Sequence, residues 1–67
     1  MTKTDVLREK IRLSGYKLTF IAEKCGLTYA GLLKKINNET EFKASEVAIL
    51  RDLLNLTDAE VQDIFLD

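Results

Sequence analysis

The sequence has no histidine, no tryptophan, no proline and only one cysteine and three glycines among its 67 residues. Without histidine, and with Cys25 as its only thiol, the chain cannot by itself build a Cys/His metal site or a Ser-His-Asp or Cys-His nucleophile. No enzyme and no cofactor are expected. One cysteine forms no internal disulfide, and no N-terminal apolar run resembles a signal peptide or a membrane span, so a reducing cytoplasm is the expected location. A chain this short buries roughly 60% of its unfolded surface, and its core supplies about 3 to 5 kcal/mol of net stability. Residues 1–67 are therefore expected to form one domain without a large ligand cavity.

Net charge is also scarce, at -1 overall with a pI near 5.4, but that total hides an asymmetry. Residues 1–38 carry eight Lys/Arg against Asp5, Glu9 and Glu23, a net +5, whereas residues 39–67 carry Lys43 and Arg51 against eight acids, a net -6. One pole can face a polyanion while the other stays away from it.

What the sequence does contain is helical periodicity. No segment alternates apolar and polar residues over a strand length, while several repeat apolar residues at spacings of three and four. An all-α chain of five short helices is expected. The first spans about 4–14, with Leu7 and Ile11 inward, Thr2 or Thr4 as its cap and Gly15 as its stop. The second spans about 18–25, with Ile21 and Ala22 inward and Gly26 at its end. Thr28 caps a third over about 28–36, which Asn37 and Asn38 break. A fourth runs over about 44–54 on Val47, Leu50 and Leu54. In the fifth, Thr57 and Glu60 form a capping box ahead of Val61, Ile64 and Phe65. Cys25 is expected to act as a small buried apolar residue.

Residues 18–38 carry the functional signal. Ala22 is the small residue where two helices touch, Gly26 the turn, and Leu27 with Ile21, Leu32, Leu33 and Ile36 the apolar lock of a helix-turn-helix. On these residues the chain resembles the lambda-repressor-like helix-turn-helix family, above all its short Cro-type phage repressors. Gly15-Tyr16, Ile36-Asn37-Asn38 and Leu54-Asn55-Leu56-Thr57 extend the resemblance, and Phe42 stands where the family often has proline. The chain departs at Lys17 and Leu18, where the family usually has a Ser or Thr cap and a polar DNA-contacting residue. The family spaces the inward residues of its third helix by three. Leu33 with Ile36, on a turn one residue longer than usual, is therefore expected inside in preference to Leu32 with Ile36, turning Lys34 and Lys35 outward.

The resemblance implies a compact five-helix domain that binds double-stranded operator DNA as a homodimer, with half-sites about 10 base pairs apart. Tyr29, Ala30, Gly31 and Lys34 are then the expected base contacts, with Lys34 on guanine acceptors, Ala30 on a thymine methyl and Gly31 allowing close approach. Lys17, Thr19, Thr28, Lys35, Asn37 and Asn38 are the expected phosphate contacts, aided by helix N-termini. The dimer surface would lie on the later helices, near Phe65 and Leu66. A different class of reading is a protein-binding module, an antirepressor or repressor partner that docks through the acidic C-terminal part, including Glu46, Asp52 and Asp63.

Overall fold

Local capping sets the helix limits of the computed structural model, which describes residues 1–66. The elements are α1 (Thr4–Ser14), α2 (Leu18–Lys24), α3 (Tyr29–Ile36), α4 (Ala44–Leu53) and α5 (Asp58–Val61), the last running into a π-helical turn over Gln62–Leu66. The first four lie within a residue or two of their expected spans, and no strand is present among the described residues. The chain is all-α.

Three of the helices stop by one hydrogen-bonding pattern. After α2, Gly26 sits at φ 70, its N–H bonds to the Glu23 carbonyl at 3.1 Å, and the Leu27 N–H reaches back to the Ala22 carbonyl at 2.9 Å. After α3, Asn38 (φ 63) and Glu39 repeat the pattern on Lys35 and Lys34, and after α4, Asn55 (φ 54) and Leu56 repeat it on Asp52 and Arg51. This double closure satisfies carbonyls that a helix end would otherwise leave open, and it requires a left-handed residue, a conformation that only glycine and asparagine adopt cheaply.

The expected threonine caps of α1 are a correction. Lys3 occupies the cap position and no side chain caps the helix. Thr2 is instead clamped by Asn38, whose Oδ1 accepts from the Thr2 N–H at 2.8 Å while its Nδ2 donates to the Thr2 carbonyl at 2.7 Å. The Thr4 hydroxyl donates to the Ile36 carbonyl at 2.6 Å. Both threonines therefore tie the start of α1 to the end of α3. The Lys3 N–H also donates to the Ile64 carbonyl at 2.8 Å, which brings the two ends of the described chain together.

The core takes one fully buried side chain or more from α1 (Leu7), α2 (Ile21), α3 (Leu32, Ile36), α4 (Leu50) and the π-helical turn (Ile64). That turn directs two consecutive residues, Ile64 and Phe65, inward, and the Phe65 ring meets the edge of Phe42 at 5.4 Å and 79°. Phe42 thereby pins the α3–α4 connection to the core. Phe65, one of the expected dimer residues, is committed inside, whereas Leu66 is 64% exposed.

The register of α3 is the second correction. Leu32 and Ile36, four apart, are fully buried, while Leu33 is half-buried and is not among the side chains packed on the core. The shorter turn wins because it closes with the Leu27–Ala22 bond and places Thr28 at the cap, so that α3 starts at Tyr29. That start brings Leu32, Lys35 and Ile36 onto the inward face.

Candidate nucleic-acid interface

The turn between α2 and α3 takes only residues 25–28. Cys25 fills its inner side, buried, and burial, aided by the Glu46 charge and opposed by Lys35, raises its thiol pKa above the ordinary value. A protonated, buried thiol is a poor nucleophile, consistent with an apolar packing role. Thr28 then caps α3, its Oγ1 accepting the Gly31 N–H at 3.0 Å.

The first turn of α3 contains no acidic residue. Its positive end is thus not neutralised by the helix itself, and backbone N–H groups there are oriented toward whatever approaches. Thr28, Tyr29 and Ala30 are exposed there, and Lys34 is exposed one turn later. Gly31 is half-buried, and a Cβ at this position would lie 3.1 Å from Thr28 Oγ1, so its missing side chain first makes room for the cap. Lys17 stands at the cap position of α2 with no side-chain cap bond, and Lys17 and Thr19 are both exposed.

Three of the expected phosphate contacts are engaged inside the protein. Lys35 faces inward, contrary to its expected outward orientation: its Nζ donates to Glu46 Oε1 at 2.7 Å and to the Glu41 carbonyl at 3.2 Å, and the two side chains are only 11% and 6% exposed. The register shift is the cause, since a helix that buries Leu32 and Ile36 must also turn residue 35 toward α4. Asn38 is the clamp on Thr2, and Asn37 Oδ1 accepts from Arg8 Nη2 at 2.6 Å. Glu46 likewise leaves the acidic surface. Burial raises its pKa, but hydrogen bonds from Lys35 and from the Lys43 N–H, with the charges of both lysines, outweigh that and leave it below the usual carboxylate range.

Ion pairing reduces the charge asymmetry, because three of the pairs join a cation of residues 1–38 to an acid of residues 39–67. Among the described residues, Lys3, Lys10, Arg12, Lys35 and Arg51 pair with Asp63, Glu60, Glu9, Glu46 and Asp58. Arg8, Lys17, Lys24 and Lys34, all on the α1–α3 part, have no ion-pair partner there. Of the acids beyond residue 38, four are spent in these pairs.

Sequence reasoning placed one residue of this face inside, Leu33, and gave no role to another, Arg8. Leu33 lies beside Lys34 without joining the core, and its only signal was the competing α3 register. Arg8 reaches the end of α3 from α1 across 29 positions of sequence, for which no local pattern exists. Tyr16, in the link before α2, and Phe20 on α2 form a tilted aromatic pair with centroids 5.1 Å apart, with Lys24 over the Phe20 ring at 5.4 Å, and both rings are exposed. Among the described residues, no helix is long and apolar enough to cross a membrane and no cluster of metal-ligating side chains is found. No protein-family model matches the chain, and no curated protein or solved structure resembles it at a significant level.

Proposed function

We propose that the chain is a sequence-specific DNA-binding transcriptional regulator of the lambda-repressor-like kind, a phage or prophage Cro-type repressor that places α3 in the major groove. The observation that carries this reading is the open N-terminus of α3, where Thr28, Tyr29 and Ala30 are exposed without a neighbouring acid and Lys34 follows one turn on. Base edges face Tyr29, Ala30 and Lys34, while Lys17, Thr19 and Thr28 hold phosphates, helped by the helix dipole. Arg8 and Lys24 add cations in place of Lys35. One domain contacts one half-site, so a two-fold dimer supplies affinity for a palindromic operator. Exposed Leu66, rather than Phe65, is the apolar residue left for that contact.

The protein-partner reading ranks second. Half of the acids it relies on are neutralised within the chain, since Glu46, Asp58, Glu60 and Asp63 have cationic partners. The test is fluorescence anisotropy with DNA from around its own gene and with scrambled DNA, over a salt series, using the native protein and Lys34→Glu. Selective binding that weakens with a log–log salt slope of about -0.9 per neutralised phosphate, and that Lys34→Glu removes, supports the regulator. Equal, weak binding to both DNAs, unchanged by the substitution, overturns it in favour of a protein partner.

A further inference from the structure

The outward surface of α3 is unusually poor in groups that read bases by paired hydrogen bonds. Residues 30, 33, 34 and 37 recur at three and four and so share one stripe. Of these, Asn37 is tethered to Arg8. What remains is Ala30, Leu33 and Lys34, with Tyr29 at the helix start 48% exposed. α3 itself carries no arginine or glutamine on this stripe to make the bidentate bonds that single out guanine or adenine, and Arg8, which reaches its end from α1, is bonded to Asn37. Lys34 offers one flexible ammonium.

Leu33 is the anomaly. A leucine on a surface helix normally joins the core, yet Leu33 lies outside the packed cluster while its neighbour Leu32 is fully buried. Leu33 is half-buried, and the part of its side chain left at the surface gains from a partner that presents an apolar group at this position. Charge narrows the choice of partner, because the cations on this part of the molecule, Lys17, Lys24, Lys34 and Arg8, have no ion-pair partner among the described residues, and the α3 start lacks an acid. A polyanion with apolar groups in a groove wide enough for a helix is duplex DNA, and the one apolar group on its major-groove edges is the thymine C5 methyl.

We propose that the half-site is defined chiefly by thymine methyl groups, read by Leu33 together with Ala30 and Tyr29, with Lys34 adding a single polar contact. This rests on α3 being the DNA-reading helix, as argued above. Leu33 is then a specificity-determining residue, and its failure to join the core is what equips it for the role.

The test starts from a randomised duplex DNA pool, from which the native protein selects its preferred site. Affinity is then measured for the selected duplex and for the same duplex with uracil replacing thymine one position at a time. Uracil keeps Watson–Crick pairing and the O4 acceptor, so any loss reports the methyl group alone. The expected result is thymine-rich half-sites, with about a four-fold weakening for each contacted methyl removed. Leu33→Ala, checked for native helicity by circular dichroism, should bring the thymine-to-uracil ratio toward one at the positions it faces. Leu33→Met, which keeps the apolar volume, should preserve the ratio.

Selected sites that bind equally well with uracil overturn the inference and leave the DNA-binding reading intact. A uracil effect that Leu33→Ala leaves unchanged overturns the role of Leu33. Failure of the pool to enrich at all overturns the DNA-binding reading beneath it. Because the uracil series uses the native protein, the inference stays testable even if Leu33→Ala does not fold.

Discussion

The α2–α3 and α4–α5 corners are built from the same four steps. Cys25-Gly26-Leu27-Thr28 and Leu54-Asn55-Leu56-Thr57 each supply a helix-ending residue, a left-handed residue, an apolar residue that bonds back to the helix, and a threonine cap. They part at the next turn. Glu60 returns to the Thr57 N–H at 2.9 Å and also takes the Lys10 ammonium, and Asp58 joins it in the first turn of α5. At the equivalent place α3 has Gly31 and no acid. The shared corner is therefore a structural device, and what fills the first turn separates a helix start that is satisfied internally from one left open to an outside anion.

The largest effect is expected at the Lys35–Glu46 pair, which couples α3 to α4. Lys35→Met leaves a buried carboxylate without its cation, a loss of about 3 to 5 kcal/mol, comparable to the whole stability of so small a domain. Urea unfolding should find it largely unfolded. The pH dependence has a definite sign. The folded-state pKa of Glu46 lies below its ordinary value near 4.5, so its contribution is present above that value and is lost as pH falls through the lower folded pKa. Thermal melts should show the midpoint falling in that acid range, and Glu46→Gln should flatten that part of the profile while lowering stability at neutral pH.

Next in size are the left-handed residues. Gly26→Ala forces a Cβ into φ 70 with nothing within 4 Å to clash, so the cost is backbone strain alone, about 1 to 2 kcal/mol. Asn55→Ala should cost a similar or smaller amount, because asparagine already carries part of that strain. If the corners are equivalent scaffolds, Asn55→Gly should be neutral or slightly stabilising by denaturant midpoint. A strong loss would show that Asn55 does more than turn the chain.

The smallest effect on stability, and the most decisive for function, comes from making the corners alike. Gly31→Glu would give α3 the capping box of α5, changing stability by less than about 1 kcal/mol, since a better helix former offsets crowding of Thr28. It would also place a carboxylate at the proposed DNA-facing end, and anisotropy should show binding abolished. Unchanged binding would break the functional side of the comparison.

Particular residues show how much was legible beforehand. Gly15, Gly26, Thr28 and the Thr57–Glu60 box were readable because a cap or a stop needs partners only a few residues away. The exposed Tyr29, Ala30 and Lys34 followed from the same local frame. Lys35 was misread because its orientation depends on the α3 register and on a carboxylate eleven positions on. The clamp of Asn38 on Thr2 was not legible because the two lie 36 positions apart.

By itself the sequence determined that the chain is helical, about where its first four helices run, and that positive charge gathers in its first part, since these depend on local hydrogen bonding and on simple counting. Only the tertiary structure decided which of Leu32 and Leu33 enters the core, which cations are consumed by distant carboxylates, and hence which side chains remain to meet a partner. The interior has room for one packing of α3, and that choice is made by all the helices pressing on it together.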